Sequence, residues 1–355
     1  MSAAFEALGG DTFVADSLSR QVVSGQIAHD VTEHGWPLVE ELLSTATFEP
    51  NMFRLVGEHG RVEPDLYLET VLGGGITNRR LRPDVLLHEL SGGATLTING
   101  ADRLHTTLLA DREVLEYRVG QRAWCNGFIS HTAGSAFGLH HDNHDVIVMQ
   151  AEGTKHWRVY PADGTDRGEP VIDRVLRPGD VVHIPAGGKH EVTGTGSPSL
   201  HWTFGFVVPD VSDLTLAELT HRASLGTDLA ALIGDGVRLD PDTIASAART
   251  RSLERRTGTN LPWSFGVELP QLNRIAVRWA ARLPPVTTTT DSGTTVRTLG
   301  RTYRIDARLG EALRLLTRGE RVPASDLVNG DATVPVVRTF LSWAIAQRLI
   351  LVEVR

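Results

Sequence analysis

Fourteen histidines are scattered through 355 residues, but eight of them fall between His131 and His201. A local excess of imidazole points to metal or proton chemistry. Within that stretch, FGLHHDNHDVIVMQAEGTKHWRVYPA (137–162) sets His140 two residues before Asp142. In a β-strand, residues i and i+2 face the same way. The spacing therefore predicts an imidazole and a carboxylate pointing together into a barrel, with His141 pointing away. Some forty residues on, GDVVHIPAGGKHEV supplies a turn, a strand, a Pro-Ala-Gly-Gly turn and then His190 at the start of another strand. Two histidines and one carboxylate make the facial triad that holds non-haem Fe(II) and leaves cis positions open. Open positions of that kind suit chelation of a 2-oxo acid and reaction with O2. His183, in the strand before the turn, is the rival third ligand. His190 is preferred because a residue just after a Pro-Gly turn sits at a barrel mouth, whereas His183 packs on the sheet face.

Lysine usage adds a fourth candidate. Only Lys155 and Lys189 are lysine among 35 basic residues; the other 33 are arginine. Where arginine replaces lysine almost everywhere, a retained lysine suggests a site that needs a compact ammonium. Lys155 follows the EGT turn on the next predicted strand, where it could pair with the distal carboxylate of 2-oxoglutarate. Lys189 sits beside His190 in the turn and is expected to be exposed.

The elements that must position these residues are short. Between 84 and 208, β-prone runs alternate with Gly, Pro and Asp turns: DVLLHEL, ATLTING, WCNGFIS, HDVIVMQ, HWRVYPA, GDVVHIPAG and SLHWTFGFVV. That spacing predicts an all-β barrel or double-sheet jelly roll. Ahead of it, HGWPLVEELLSTA has helical spacing. After Pro209, LTLAELTHRASLGTDLAALIG and PDTIASAARTRSLERR look like amphipathic helices with Ser, Thr and Asp starts. PPVTTTTDSG (284–293) reads as a linker. The last segment reads strand, helix, short helix, helix, strand, the order of a winged helix.

Composition narrows the class. The chain is 41% hydrophobic and 22% charged, as expected of a folded, soluble protein. Its net charge of −8 argues against general nucleic-acid coating. No apolar run is long enough for a membrane span, and the start MSAAFEALGGDTF lacks the pattern of a secretion signal. The single cysteine, Cys125, excludes an internal disulfide and a cysteine-based zinc cluster. A cytoplasmic location is expected.

Taken together, Asn126, GSAFGLHHD (134–142), Asp145-Val146, EGTKHWRVY (152–160) and IPAGGKH (184–190) resemble the JmjC-type ribosomal oxygenases. That group is a branch of the cupin-fold Fe(II)/2-oxoglutarate dioxygenases. The resemblance implies an α+β chain in three parts: a JmjC/cupin catalytic domain with N-terminal helical elements (1–208), a helical dimerisation domain (212–283) and a winged helix (285–355). It implies Fe(II) held by His140, Asp142 and His190, with no catalytic residue beyond the metal centre. It further implies 2-oxoglutarate held by Lys155 and a pocket residue, Asn126. In the last strand, His201 and Thr203 share parity and are expected to face the pocket beside the cosubstrate. The implied activity is hydroxylation of a side chain, at the β-carbon of Arg or His, in a protein or peptide, by a homodimer. Three positions depart from the group's pattern: Phe128 and His144 stand where tyrosine is common, and Leu139 where proline is preferred.

A substrate side chain that is cationic or an imidazole would suit an acidic body. Residues 281–355 hold 11 Arg and 7 Asp/Glu, a net of +4, which leaves −12 for the rest. Glu63, Glu69 and Glu191 are candidates for an acidic mouth, and the run Arg297, Arg301, Arg304 and Arg308 for pairing with the acidic body. Two alternatives stand beside this reading. One is a tailoring hydroxylase of a ribosomally made precursor peptide, favoured by the three departures. The other is a DNA-binding regulator with a cupin sensor, disfavoured because VPVVRTFLSWAIAQRL offers only Arg338 and Arg348. A metal-dependent cupin without 2-oxoglutarate is disfavoured by Lys155.

Overall fold

The computed structural model describes residues 1–28, 31–45, 48–58, 60–73, 76–162, 168–207, 269, 271–280, 284–290, 293–298 and 301–354. The chain divides into two compact units. One comprises 1–115 and 122–208, the other 116–121 and 209–355.

The first unit is built on an eight-stranded antiparallel sheet. Its strands are β1 (Val23–Gln26), β2 (Phe53–Gly57), β3 (Gly60–Arg61), β6 (Thr95–Asn99), β7 (Ala123–Ser130), β8 (Asp145–Glu152), β11 (Asp180–Ile184) and β13 (Ser199–Phe206). They lie in the order β1-β11-β8-β13-β7-β6-β2-β3. A smaller sheet holds β9 (Lys155–Val159), β10 (Ile172–Leu176) and β12 (His190–Gly194), in the order β10-β9-β12. A hairpin of β4 (Leu68–Gly73) and β5 (Ile76–Leu81) stands apart. The two main sheets pack face to face: Val146, Val148, Val182 and Ile184 of the large one meet Trp157, Val159, Ile172 and Leu176 of the small one. Aligned sheets closed over an apolar layer are the jelly roll that the short, turn-bounded strands predicted.

Alternation along the strands produces the cavity between the sheets. Three rows of cross-strand partners run over the large sheet's inner face. One is Val56, Thr95, Ser130. The next is Arg54, Thr97, Phe128, His201. The third is Asn99, Asn126, Thr203, Val148. Intervening residues such as Phe53, Leu55, Leu96 and Ile98 are fully buried on the other face.

Several local expectations are corrected. DVLLHEL is not a strand but lies in the helix Pro83–Ser91. Pro83 opens it at a position where a missing N–H costs nothing. Leu86 and Leu90, the buried pair, are four apart, which is helical spacing. His140 and Asp142 are not strand residues either. His140 forms an isolated bridge with His190, and β8 begins only at Asp145. The helix Trp36–Thr45 forms where its spacing predicted one.

In the second unit, β14 (Ile275–Trp279), β18 (Val322–Pro323) and β19 (Ile350–Val354) form a sheet in the order β18-β14-β19. A second sheet joins β15 (Val286–Thr290), β16 (Gly293–Thr298) and β17 (Arg301–Ile305) in chain order. PPVTTTTDSG is therefore a strand for half its length, not a linker; its threonines are β-branched and pair with β16. Helices Gly310–Leu316 and Val334–Ala346 flank a short 3-10 turn at Ala324–Leu327. Leu313, Leu316, Leu327, Val337, Leu341 and Val352 share their core. The segments read as amphipathic helices, 213–233 and 241–256, lie outside the described residues. The described end of the 212–283 segment is a 3-10 turn and strand β14, not helix. Among the described residues, no helix is long and apolar enough to cross a membrane.

Candidate metal centre and adjoining cavity

His140, Asp142 and His190 come together: one ligand atom from each lies within 4.8 Å of the others. Three contacts fix the approach. His140 and His190 exchange backbone hydrogen bonds, N–H of each to C=O of the other, at 3.0 and 2.8 Å. The Gly187 N–H donates to the Asp142 carbonyl at 2.8 Å, tying the glycine turn to the carboxylate-bearing loop. Gly187 has φ +81, a left-handed conformation that L side chains rarely adopt. That is why the turn before His190 is glycine-rich.

Both imidazoles are oriented by backbone. The Nδ1 of His140 lies 3.0 Å from the Gly138 carbonyl, and the Nδ1 of His190 lies 3.1 Å from the Gly188 carbonyl. A carbonyl only accepts, so each Nδ1 carries the proton and each Nε2 keeps its lone pair. The His190 Nε2 faces Asp142 Oδ2 at 3.9 Å. Burial and the neighbouring His140 push the His190 pKa down, which favours the neutral, ligating form. Two neutral imidazoles with free Nε2 atoms and one carboxylate, held close on one side of a cavity, fit a divalent transition metal of the iron type.

The cavity beside them encloses about 320 Å³. Lys155, Asn126, His201 and Thr203 all line it, as does Phe128. Lys155 is buried, its ammonium donating to the Phe128 carbonyl at 2.9 Å and to His201 Nδ1 at 3.0 Å. Burial pushes its pKa from 10.5 down to about 7. Burial also holds His201 well below its usual value, with the Lys155 charge adding to the effect. His201 is stacked on Phe128 at 4.8 Å and meets Trp157 edge-on at 5.2 Å. Asn126 is half committed, its Oδ1 accepting from the Gly100 N–H at 2.9 Å.

His183 is elsewhere. It is fully buried, with Nε2 3.0 Å from Asp145 Oδ2 and Nδ1 2.9 Å from the Gln21 carbonyl. The Asp145 Oδ1 accepts from the Ala186 N–H at 3.0 Å, and Ser19 donates to Oδ2 at 2.8 Å. Burial alone would raise the Asp145 carboxyl, but these hydrogen bonds hold it below the usual range. His141 is exposed. Glu63, Glu69 and Glu191, the candidates for an acidic mouth, do not line the cavity wall, where Asp142 is the one carboxylate among the described residues. Glu191 instead pairs with Arg158 across β12 and β9. The arginine run does not simply turn to the acidic body either, for Arg308 closes on Asp306 at 2.8 Å.

Among the cavity residues to which sequence reasoning gave no role are Trp157, Arg54 and His144. Trp157 was findable, since it stands two residues after Lys155 on one strand. Arg54 is flanked by Phe53 and Leu55, whose burial turns it inward; one arginine among 33 gave no other signal. His144, named only as a departure, lines the wall and packs on Trp124 at 4.8 Å.

Residues 106–214 match the profile of the JmjC domain. The matched segment holds the three converging residues and Lys155 and includes strands β7 to β13 of the jelly roll. Ribosomal oxygenase 1 of Rattus norvegicus is 35% identical over 106 residues, covering 25% of this chain and 18% of that protein. The bifunctional lysine-specific demethylase and histidyl-hydroxylase NO66 of Drosophila persimilis is 30% identical over 141 residues, covering 35% of this chain and 20% of that protein. The chain thus spans about a fifth of these curated relatives. The fold is also that of YcfD, a ribosomal oxygenase from Escherichia coli, whose structure with cobalt and succinic acid has a TM-score of 0.56 at 17% identity. That likeness covers 96% of this chain and 97% of YcfD. A structure of YcfD with cobalt and 2-oxoglutarate has a TM-score of 0.51 at 18% identity.

Proposed function

We propose that this protein is an Fe(II)- and 2-oxoglutarate-dependent oxygenase that hydroxylates a side chain in a protein or peptide. One observation carries the reading. A cluster of two imidazoles and one carboxylate shares a 320 Å³ cavity with a buried lysine that has no acidic partner among the described residues. An ammonium kept in such a place against its desolvation cost needs an anion to balance it. The distal carboxylate of 2-oxoglutarate supplies one.

In this account His140, Asp142 and His190 hold Fe(II) through Nε2, a carboxylate oxygen and Nε2. The bound iron supplies activation of O2 coupled to oxidative decarboxylation of 2-oxoglutarate to succinate and CO2. The chain's own residues bind, orient and exclude water. The Gly138 and Gly188 carbonyls fix the imidazole planes. Lys155 takes the distal carboxylate, and His201, neutral, accepts one of its protons. Asn126 and Thr203 on the large sheet's third row are polar groups for the rest of the cosubstrate. Trp157, Val146, Val148 and Val192 add an apolar stretch of wall.

The target expected from the sequence resemblance is a histidine or arginine β-carbon, and the histidyl-hydroxylase name of the Drosophila persimilis relative supports histidine. Of the two, histidine suits this cavity better, because Arg54 and Lys155 already place two cations in its wall. We assign residues 285–355 to a winged helix, supported by the two helices that flank a 3-10 turn and lie between strands β17 and β19. A homodimer built by the 212–283 segment rests on the leucines of 214–232 alone; light scattering at micromolar concentration tests it, a monomer contradicting it. The function is tested by incubating the protein with Fe(II), 2-oxoglutarate and air and following succinate by NMR. Mass spectrometry of ribosomal proteins and peptides from a deletion strain then seeks residues that have lost 16 Da. No succinate from the iron-loaded protein would refute the reading.

A further inference from the structure

The cavity holds a second cation that this chemistry does not use. Arg54 lies on β2 at the end of the row Arg54, Thr97, Phe128, His201. It lines the same cavity as the metal cluster and Lys155. Strands in a sheet are about 4.8 Å apart, so its backbone stands about 10 Å from Phe128, whose carbonyl holds the Lys155 ammonium. Arg54 therefore belongs to the opposite end of the cavity from the cosubstrate lysine.

Arg54 is half-buried, and among the described residues its guanidinium has no carboxylate partner. Its Nε is buried and has no hydrogen-bond partner among them. Arg112 also has a buried Nε without a hydrogen-bond partner, but its charge is met by Asp102, 2.7 Å from Nη1. A guanidinium cannot shed its proton to escape burial, so the charge stays. Leaving a buried charged donor unpaired is costly, and folds tolerate it where a ligand completes the site. The inference rests on the oxygenase reading. There, Asp142 and the two carboxylates of 2-oxoglutarate balance the dication and Lys155, and among the described residues of the cavity wall Arg54 remains without a counter-charge. Thr95 and Thr97 on the adjoining strand add hydroxyls beside it. A planar fork of donors with hydroxyls alongside is suited to bidentate capture of a carboxylate.

We propose that Arg54 selects the substrate by binding a carboxylate near the oxidised residue. An Asp or Glu side chain or a free chain end could supply it. The test uses three fluorescently labelled peptide pools centred on histidine with randomised flanks. The first carries Asp or Glu with an amidated end, the second only Asn or Gln with a free end, the third only Asn or Gln with an amidated end. Binding is read by anisotropy and oxidation by mass spectrometry, so the first measurement stands even if the second is silent. One carboxylate pool is expected to bind at least ten times better than the neutral pool, and which one identifies the source. Arg54→Gln should erase that preference, Arg54→Lys should retain part of it, and Arg54→Glu should turn it toward a lysine-containing pool. Equal binding of all three pools to the wild type would overturn the proposal. So would a raised 2-oxoglutarate KM for Arg54→Gln in peptide-free succinate formation, which would place Arg54 at the cosubstrate instead. Absence of succinate from the wild type, with a clear carboxylate preference in binding, would sink the oxygenase reading while leaving the carboxylate site standing.

Discussion

Removing or neutralising the Lys155 charge should control 2-oxoglutarate affinity in a pH-dependent way. Burial pushes this lysine from 10.5 to about 7. At 1.36 kcal/mol per pH unit, that interval corresponds to about 5 kcal/mol of opposition to the charged form. The sign follows from which state binds the proton. Between about pH 7 and 10.5 the unfolded chain holds a proton that folded Lys155 has released, so this group's contribution to stability rises with pH across that window. A bound carboxylate favours the ammonium and opposes its loss. Below pH 7 affinity for 2-oxoglutarate should be level. Above it, each pH unit should cost about tenfold, reaching about 100-fold, or about 2.7 kcal/mol, at pH 9. The partners facing Lys155 do not blur this, because the Phe128 carbonyl does not titrate and His201 is already neutral. Calorimetric titration of 2-oxoglutarate into Mn(II)-loaded protein from pH 6.5 to 9 measures the slope. Lys155→Met should flatten it and weaken binding by about 2–5 kcal/mol, the usual cost of stranding a buried charge partner. Lys155→Arg should rescue poorly, since a longer planar head does not fit a site shaped for an ammonium. A wild-type affinity constant from pH 7 to 9, or a methionine variant binding normally, would refute the assignment.

Single alanine substitutions at His140, Asp142 or His190 should abolish stoichiometric Co(II) binding by calorimetry, whereas His141→Ala should retain it. His183→Ala should keep the metal but lower Tm; loss of metal there, with His190→Ala unaffected, would reverse the ligand assignment. Breaking the buried Asp145–His183 pair should destabilise the fold by about 3–5 kcal/mol, seen in denaturant titration of Asp145→Asn. Because Asp145 is held below the ordinary carboxylate range, its contribution is present above about pH 4 and is lost as pH falls through the folded value. Melting curves from pH 7 down to 3 should therefore converge for wild type and Asp145→Asn. The full protein should not bind mixed-sequence duplex at micromolar concentration and low salt: Arg308 and Arg314 are tied to neighbouring carboxylates and Arg338 donates to the Leu269 carbonyl. Salt-sensitive binding in an anisotropy titration would revive the regulator reading.

The cluster of His140, Asp142 and His190 was legible because it depends on residue type and order. Its local geometry was not, because a two-residue spacing fits a strand and a bridging loop equally well. What brings His140 to His190 is a pair of backbone hydrogen bonds, which no side-chain pattern announces. The parity of His201 and Thr203 was readable from strand alternation, and both line the cavity. DVLLHEL misled because a short apolar run fits either period; Pro83 and the Leu86–Leu90 pair held the deciding signal. Arg54 was invisible, since its meaning lies in the carboxylate that is missing beside it, and an absent partner is a fact of packing. Glu191 shows the opposite case: it follows His190 on β12, but its side chain is turned onto Arg158, which no charge count reveals.

Anaerobic addition of 2-oxoglutarate to the Fe(II)-loaded protein tests the central claim most directly. Chelation of the 2-oxo acid to iron on two imidazoles and a carboxylate should produce a visible charge-transfer band. The band should be present in wild type and His183→Ala and absent in Asp142→Ala and His190→Ala. It should require far more 2-oxoglutarate in Lys155→Met. No band from wild type with iron bound, or a band that persists without Asp142 and without His190, would contradict the account.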